Sequence, residues 1–218
     1  MRIFYREVAY NCIVASRKGD CEFKMKGIDN KEHFKDIVKT NITREGIDNL
    51  MFWLENSDFY IAPASTRFHE SYPGGLCEHS INVYYHLLQL NRAYETNLSL
   101  ESMTIVSLFH DLCKVNCYSV GSRNVKDEET GKWHKEPCYQ WSEQNKFGGH
   151  GSKSVYLVQH YVKLYFDEAA AINSHMGIEN GNCNAIMDAY RDNPLAFLLH
   201  TADMASTIPS LNDILGLT

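Results

Sequence analysis

An apolar stretch that contains three ionisable side chains constrains the fold of this chain most strongly. It runs from residue 103 to residue 114, and its Ile, Val, Leu and Phe residues recur at helical spacing around most of the circumference. A helix this apolar is expected to be buried. It nevertheless contains His110, Asp111 and Lys114 within five positions. Because burial of such groups without partners costs several kcal/mol, we expect each to be paired or to hold a ligand.

Two interpretations of the His110-Asp111 dipeptide follow from these residues alone. A metal ion is the simplest partner, since it neutralises Asp111 and accepts a lone pair from His110. The alternative is a core histidine that bonds to a backbone carbonyl, next to an aspartate that ends a helix. A motif of two residues does not choose between them, because such matches are common by chance.

Composition indicates an ordinary globular protein. The chain has 218 residues, of which 44% are hydrophobic and 22% charged, so it can form one large domain or one domain with a small appendage. The formal net charge of −6 argues against a general electrostatic attraction to nucleic acid. Bound divalent metal ions would still supply a local cationic cleft.

The termini and cysteines favour a cytoplasmic protein with reduced thiols. The first residues lack the apolar core of a signal peptide, and no window is long enough to cross a bilayer. The seven cysteines are odd in number and scattered: Cys12, Cys21, Cys77, Cys113, Cys117, Cys138 and Cys183. Cys113 and Cys117 are spaced to share a helix face and could bind zinc with a nearby histidine. We favour the alternative that both are small core residues.

Hydrophobic periodicity predicts a mainly helical chain with one inserted β-hairpin. Helices are predicted at about 43–55 (capped by Thr43), 78–90, 101–115, from 150 onward, at 167–177, at 185–190 and at 194–207. Residues 1–27 are compatible with a hairpin or a short helix. Residues 116–142 flank an Asp-Glu-Glu-Thr-Gly turn and predict the hairpin. Its aromatic residues, Tyr118, Trp133, Tyr139 and Trp141, either pack it onto the body or stack a base.

Four further polar residues occupy apolar or glycine-rich contexts. His79 follows Gly74-Gly75 at the start of a largely buried helix, and His150 is at the centre of a glycine-rich loop that opens another helix. His175 falls in the last turn of a helix, where capping of carbonyls is the ordinary alternative. Asp203 interrupts an apolar helix, and an unpaired buried aspartate is improbable.

The order of these residues resembles the HD-domain metal-dependent phosphohydrolase superfamily, whose pattern is His, His-Asp, two optional histidines and a distant Asp. The resemblance covers roughly residues 60–207. Its most specific part is the block from His69 to His79, which is similar to one in the HD domains of bacterial 3′-to-5′ exoribonucleases and phage-type HD hydrolases. The resemblance implies an HD-domain helical bundle at 59–218, with the hairpin inserted at about 116–142. Residues 1–58 would form an N-terminal appendage and a first helix.

The resemblance also implies the ligand sets of one or two divalent metal ions. Its pattern assigns one ion to His79, His110, Asp111 and Asp203. It assigns a second ion to His150 and His175, with Asp111 as a bridging carboxylate. Several relatives have a His-His pair where this chain has His175-Met176, so we expect a weaker or absent second ion. Imidazole and carboxylate ligands are compatible with Mn, Fe, Ni, Mg or Zn.

The expected function is hydrolysis of a phosphate ester by metal-activated water, with a nucleotide, another phosphorylated small molecule or a short single-stranded nucleic acid as substrate. Asp111 and Lys114 are the predicted catalytic residues. Lys114 would meet the substrate phosphate, unless it is a solvated lysine at a helix end. His69 would contact phosphate or act as an acid, and the hairpin would form a wall or lid of the cleft.

Two other functions are compatible with the sequence. A non-catalytic HD module that binds a nucleotide or a protein is the alternative; a structural protein with satisfied core histidines is a third interpretation. Oligomeric state stays open.

Overall fold

A computed structural model describes residues 29–142, 147–178 and 183–217. Within these ranges the chain is mainly helical with one two-stranded antiparallel sheet, as predicted. The helices are α1 (Asn30–Asn41), α2 (Ile47–Glu55), α3 (Gly75–Tyr94), α4 (Leu100–Phe109), α5 (His150–Gln159), α6 (Phe166–Ser174), α7 (Cys183–Asp192), α8 (Pro194–Ser206) and α9 (Pro209–Ile214). The strands are β1 (Tyr118–Lys126) and β2 (Trp133–Trp141). The prediction for residues 1–27 lies outside the described residues.

The core forms around α3, which packs against α4 and α8, while α6 packs against α8 and α5. Apolar side chains of α1 and α2 complete the same core, since Phe34, Leu50 and Leu54 are fully buried in it. These two helices therefore share their packing with the rest of the bundle, and a boundary at residue 58 stays a prediction. No helix in the described part of the chain is long and apolar enough to span a membrane.

The start of α2 differs from the prediction that Thr43 caps it. The helix begins at Ile47, and Gly46 precedes it in the left-handed region at φ 88°. Thr43 instead donates its backbone N–H and its hydroxyl to Glu101, which draws it away from the helix. The Gly46 carbonyl accepts the first helical bonds, from Asn49 and Leu50. A glycine turn therefore starts the helix, because a residue with a Cβ rarely adopts this backbone conformation.

The helix that contains the His-Asp dipeptide is shorter than the predicted 101–115. Helix α4 ends at Phe109, His110 follows in helical conformation, and Asp111 leaves it at φ −106°, ψ 19°. A single 3₁₀ turn, Leu112–Lys114, comes next. The Ser154 hydroxyl of α5 accepts a hydrogen bond from the Cys113 N–H, which holds the turn in this path. His110 and Asp111 therefore project from a helix terminus rather than from the middle of a helix.

The β-hairpin is present as predicted. Its strands pair from Tyr118↔Trp141 at the base to Lys126↔Trp133 at the tip. In the turn, the Asp127 carboxylate accepts the N–H groups of Glu129 and Thr130. The Tyr118 hydroxyl donates to the carbonyl of Ala64, which ties the base of the hairpin to the loop before α3.

We predict that Gly46→Ala destabilises the fold strongly. A Cβ at Gly46 would overlap the backbone carbonyl of Tyr161 and would also occupy a left-handed conformation. Gly148 is the matched control, since it has φ +95° but no atom within 4 Å of its ideal Cβ. Chemical denaturation should show a loss of at least about 3 kcal/mol in the free energy of unfolding for Gly46→Ala. The control should lose only about 1–2 kcal/mol. Equal losses would mean that α2 moves away from Tyr161 at no cost.

Candidate metal centre

The loop before α3 is folded tightly by the Gly74-Gly75 pair. Gly74 adopts φ 85°, and a Cβ at Gly75 would overlap the carbonyl of Glu70. The N–H of Leu76 donates to Ala62, so the first turn of α3 is bonded to the start of this loop. The result is that His69 and Glu70 lie beside His79, whose ring centroid is 5.0 Å from that of His69.

Three fully buried imidazoles converge from three helices. The ring centroid of His110, at the end of α4, is 5.3 Å from that of His79 and 4.9 Å from that of His175, at the end of α6. Nδ1 of His110 bonds to the Ser107 carbonyl at 2.8 Å, and Nδ1 of His175 bonds to the Ile172 carbonyl at 2.6 Å. A carbonyl only accepts, so Nδ1 carries the proton in both rings. In the neutral form, each Nε2 then presents a lone pair.

His79 has the same orientation for a different reason. Its Nδ1 is 3.2 Å from the Ser206 hydroxyl. That hydroxyl donates its own proton to the Asp203 carbonyl, so it can only accept from His79. The Nε2 of His79 is therefore the unprotonated nitrogen of a neutral ring, and burial lowers the pKa of His79, which favours the neutral form.

The three Nε2 atoms face carboxylate oxygens without hydrogen-bond geometry. His79 Nε2 is 3.1 Å from Asp203 Oδ1, and His110 Nε2 is 3.4 Å from Asp111 Oδ2. His175 Nε2 is 3.5 Å from Asp111 Oδ1. All three nitrogens are buried and have no hydrogen-bond partner among the described residues. Because the lone pairs of neutral rings and carboxylates repel each other, the arrangement fits a positive charge between them, either a proton on His110 Nε2 or a metal ion.

These atoms form two groups of the size that a metal ion requires. In each group, every ligand atom lies within 4.8 Å of the others: His79 with His110 and Asp203, and His110 with Asp111 and His175. A third such group joins His69 and Glu70 to His79. The structure therefore brings together five of the six predicted ligands and adds one residue that the sequence analysis did not select, Glu70.

Charge in the centre is balanced by Lys114 and His110. The Lys114 ammonium lies 2.7 Å from Asp111 Oδ2. Burial opposes ionisation of Asp111, but Lys114 and His110 outweigh it and hold the pKa of this carboxyl well below its usual range. Burial likewise opposes charge on His110, yet Asp111 and Asp203 raise its pKa to about 10. A divalent cation would replace the His110 proton, so protons and metal ions compete for this centre.

The loop residues His69 and Glu70 are both buried enough to lose charge. Burial lowers the pKa of His69 to about 4 and raises the pKa of Glu70 to about 7. Glu70 Oε2 lies 3.8 Å from His79 Nδ1 and has no hydrogen-bond partner in the described ranges. No periodic signal could have selected Glu70, since it lies in a loop, although it follows His69 directly in the block that carries the resemblance.

His150 lies outside these groups. Its Nδ1 is 3.5 Å from the Cys113 sulfur, and its ring is 5.5 Å from that of Trp141. Cys113 in turn lies 3.9 Å from Asp111 Oδ1, so a thiol separates His150 from the Asp111 carboxylate. The ligand role of His150 stays a prediction. Cys113 and Cys117 are both buried free thiols, and no candidate metal group in the described part of the chain contains either of them.

A cleft of about 320 Å³ opens onto the centre. Asp111, Lys114, His175 and Asp203 reach it from the helices, and His69 reaches it from the loop before α3. His200 also lines the cleft, and its Nδ1 bonds to the His175 carbonyl. No hairpin residue is among the lining residues, so the hairpin does not form a wall of this cleft, and the alternative that it forms a lid stays a prediction. The loop that carries His69 occupies that position, and the hairpin base is bonded to it.

A helical bundle whose histidines and aspartates converge beside a cleft defines a protein with a buried site that could hold a metal ion. The family model of the HD domain matches residues 76–207, which is more than half of the chain, and the chain belongs to the HD domain family. The matched region contains all six predicted metal ligands, whereas His69 and Glu70 precede it. HD domains are typical of metal-dependent phosphohydrolases. No curated protein and no solved structure matches the chain.

We predict that Mn²⁺ stabilises the chelator-treated protein through Asp111. At a free ion concentration of a hundred times Kd, binding to the folded state alone adds about 2.7 kcal/mol. For a chain of this length that corresponds to a rise of about 5–10 °C in the unfolding midpoint. Asp111→Asn should remove most of the rise, and elemental analysis should show lost metal. The exposed Asp48→Asn is the control. An undiminished rise in Asp111→Asn would show that Asp111 is not a ligand.

Proposed function

We propose that this protein is a metal-dependent phosphohydrolase that cleaves a phosphate ester of a nucleotide or of a short single-stranded nucleic acid. One observation carries the proposal. Three buried imidazole nitrogens face carboxylate oxygens at 3.1–3.5 Å, without hydrogen bonds, next to a cleft that also contains a lysine. Membership of the HD domain family supports the same class of reaction.

In this proposal His79, His110, Asp111 and Asp203 would hold one divalent ion. His175 and Asp111 would contribute to a second ion, with His150 as a predicted further ligand. The donor set of imidazoles and carboxylates is compatible with Mn, Fe, Ni, Mg or Zn. When bound, such an ion makes water acidic enough to deprotonate near neutral pH and stabilises negative charge at phosphorus.

Lys114 is the side chain that we propose to act directly on the substrate phosphate. Its side chain is 14% exposed, lines the cleft and is oriented by its ion pair with Asp111. An ammonium in this position binds a phosphate oxygen and stabilises the charge that develops as the ester bond breaks. Because the pair with Asp111 and burial inside the cleft fix its position, it is not the solvated helix-end lysine of the alternative interpretation.

His69 is proposed to bind phosphate rather than to act as a general acid. Its low pKa leaves the imidazole neutral near pH 7, so it has no readily available proton to deliver. A neutral imidazole still offers one N–H donor, and His69 Nε2 has no partner among the described residues. We also propose a cytoplasmic location, which rests on the free thiols of the described cysteines.

We predict that Lys114→Ala lowers the rate of hydrolysis of bis-p-nitrophenyl phosphate in the presence of Mn²⁺. The loss in kcat should be about a hundredfold, the usual effect of removing one group that stabilises transition-state charge. Metal content should be retained, since Lys114 is not a ligand. Lys132→Ala, in the exposed hairpin turn, is the control and should keep full activity.

Asp111→Ala, measured in the same assay, distinguishes the hydrolase hypothesis from the hypothesis of a non-catalytic binding module. Loss of hydrolysis together with loss of metal would support the proposal. A wild-type protein that binds Mn²⁺ but hydrolyses neither this ester nor a panel of nucleotides would instead support the non-catalytic HD module.

A further inference from the structure

The two faces of the hairpin differ in chemistry. Residues that pair directly in an antiparallel sheet place their side chains on the same face, and successive residues alternate between faces. One face, which we call the aromatic face, comprises the pairs Tyr118–Trp141, Val120–Tyr139, Ser122–Pro137, Asn124–Lys135 and Lys126–Trp133. All four aromatic residues of the hairpin therefore share one face.

The aromatic face is packed at its base and exposed toward its tip. The Tyr118 ring makes edge contacts with Trp141 at 5.3 Å and with Tyr139 at 6.4 Å between centroids. Farther out, Val120 is 74% exposed and Trp133 is 68% exposed. Exposed apolar and aromatic side chains along one face are typical of a surface that contacts another molecule.

Charge on the two faces selects a polyanion as that molecule. The ionic side chains of the aromatic face are the exposed Lys126 and Lys135, and none of its ten residues is acidic. On the opposite face Glu136 pairs with Arg123 at 3.5 Å and with His134 at 3.0 Å, so its charges neutralise one another. The chain as a whole has a formal net charge of −6, and the turn at the tip contains Asp127, Glu128 and Glu129, so the positive charge of the hairpin is concentrated on this face at Lys126 and Lys135.

The aromatic face begins next to the proposed catalytic centre. Three residues separate Lys114 from Tyr118, and the Tyr118 hydroxyl is bonded to the loop that carries His69. At the other corner of the base, Trp141 contacts His150. Strands of nine residues extend the face over about 27 Å. A free nucleotide is too short to contact both ends of such a face, whereas a single strand of several nucleotides is not.

We propose that the aromatic face binds single-stranded nucleic acid, with bases stacked on its rings and phosphates near Lys126 and Lys135. Stacking on exposed rings is tolerant of sequence, because every base has a π-face. The bound strand runs from the tip of the hairpin toward the cleft. This last step rests on the proposed function, since it makes a phosphodiester the bond that reaches Lys114; the binding itself needs no metal ion.

The test is fluorescence anisotropy with labelled oligodeoxythymidine and oligouridine of eight nucleotides, at low salt and in excess EDTA. Trp133→Ala should weaken binding at least about fivefold, the lower limit for loss of one stacked base. Trp133→Phe keeps a ring and should stay within about twofold of the wild type. Phe52→Ala, which removes a 72% exposed aromatic residue from α2, is the matched control and should bind normally.

The role of the lysines on the aromatic face is tested through the salt dependence of oligonucleotide binding. Lys135→Ala should lower the slope of log Kd against log salt by about 0.7, the value for one phosphate contact on a single strand. Lys39→Ala, an exposed lysine in the last turn of α1, should leave the slope unchanged. Deoxy and ribo oligonucleotides of the same length distinguish DNA from RNA as the preferred strand.

The outcomes separate this inference from the proposed function. Oligonucleotide binding in EDTA that depends on Trp133 supports the inference even if no phosphate ester is hydrolysed. Normal hydrolysis of bis-p-nitrophenyl phosphate without any oligonucleotide binding overturns it and leaves the face to a protein partner. Equal binding by Trp133→Ala and the wild type overturns it as well. The thermal unfolding midpoint of Trp133→Ala should match that of the wild type, since the side chain is mostly exposed, and this shows that the fold is intact.

Discussion

The Asp111 carboxylate is the constraint on which the rest of the structure depends. It is almost completely buried, and one oxygen contacts both Lys114 and His110 while the other faces His175. A buried charge with missing partners destabilises a protein by several kcal/mol, so the elements that supply the partners must meet at this point. Helix α4 must end at Phe109 to release the carboxylate, and α6 must end where its histidine reaches the second oxygen. The bundle is therefore arranged around an ionic centre inside an apolar core.

The formal charges of the side chains in the centre predict how a divalent cation would change its attraction for phosphate. With His110 protonated, Asp111 and Asp203 contribute two negative charges and His110 and Lys114 two positive charges, so the centre is neutral before Glu70 is included, and a divalent ion would displace the His110 proton. One divalent ion converts this to +1. Because the whole chain is also acidic, the phosphate ester of the proposed reaction would be attracted to the cleft more strongly with the ion bound than without it. In this proposal, electrostatics couples metal binding to substrate binding.

Local sequence patterns predicted most helices and the hairpin. The structure differs from these predictions where contacts between distant residues determine the conformation. Periodicity and turn chemistry were sufficient for the main helices and for the hairpin, since both are properties of neighbouring residues. Thr43 was the wrong cap because Glu101, from another helix, binds it. The helix through His110 is shorter than predicted because Ser154 bonds the turn after it. Likewise, Glu70 joins the centre only because the Gly-Gly turn folds the loop back, a tertiary effect that no local pattern contains.

The base of the hairpin is attached next to the candidate metal centre, although the hairpin does not line the cleft. Its base is fixed from several directions: Cys117 bonds to Lys114, Ser142 bonds to Cys117, and Asn116 donates to Asp58. The tip, by contrast, makes no packing contact in the described part of the chain that explains Trp133, since most of this large side chain is exposed. Core packing accounts for the aromatic residues at the base but not for this one. A rigid base beside the cleft and an unburied tryptophan at the tip are consistent with a ligand that extends from one to the other.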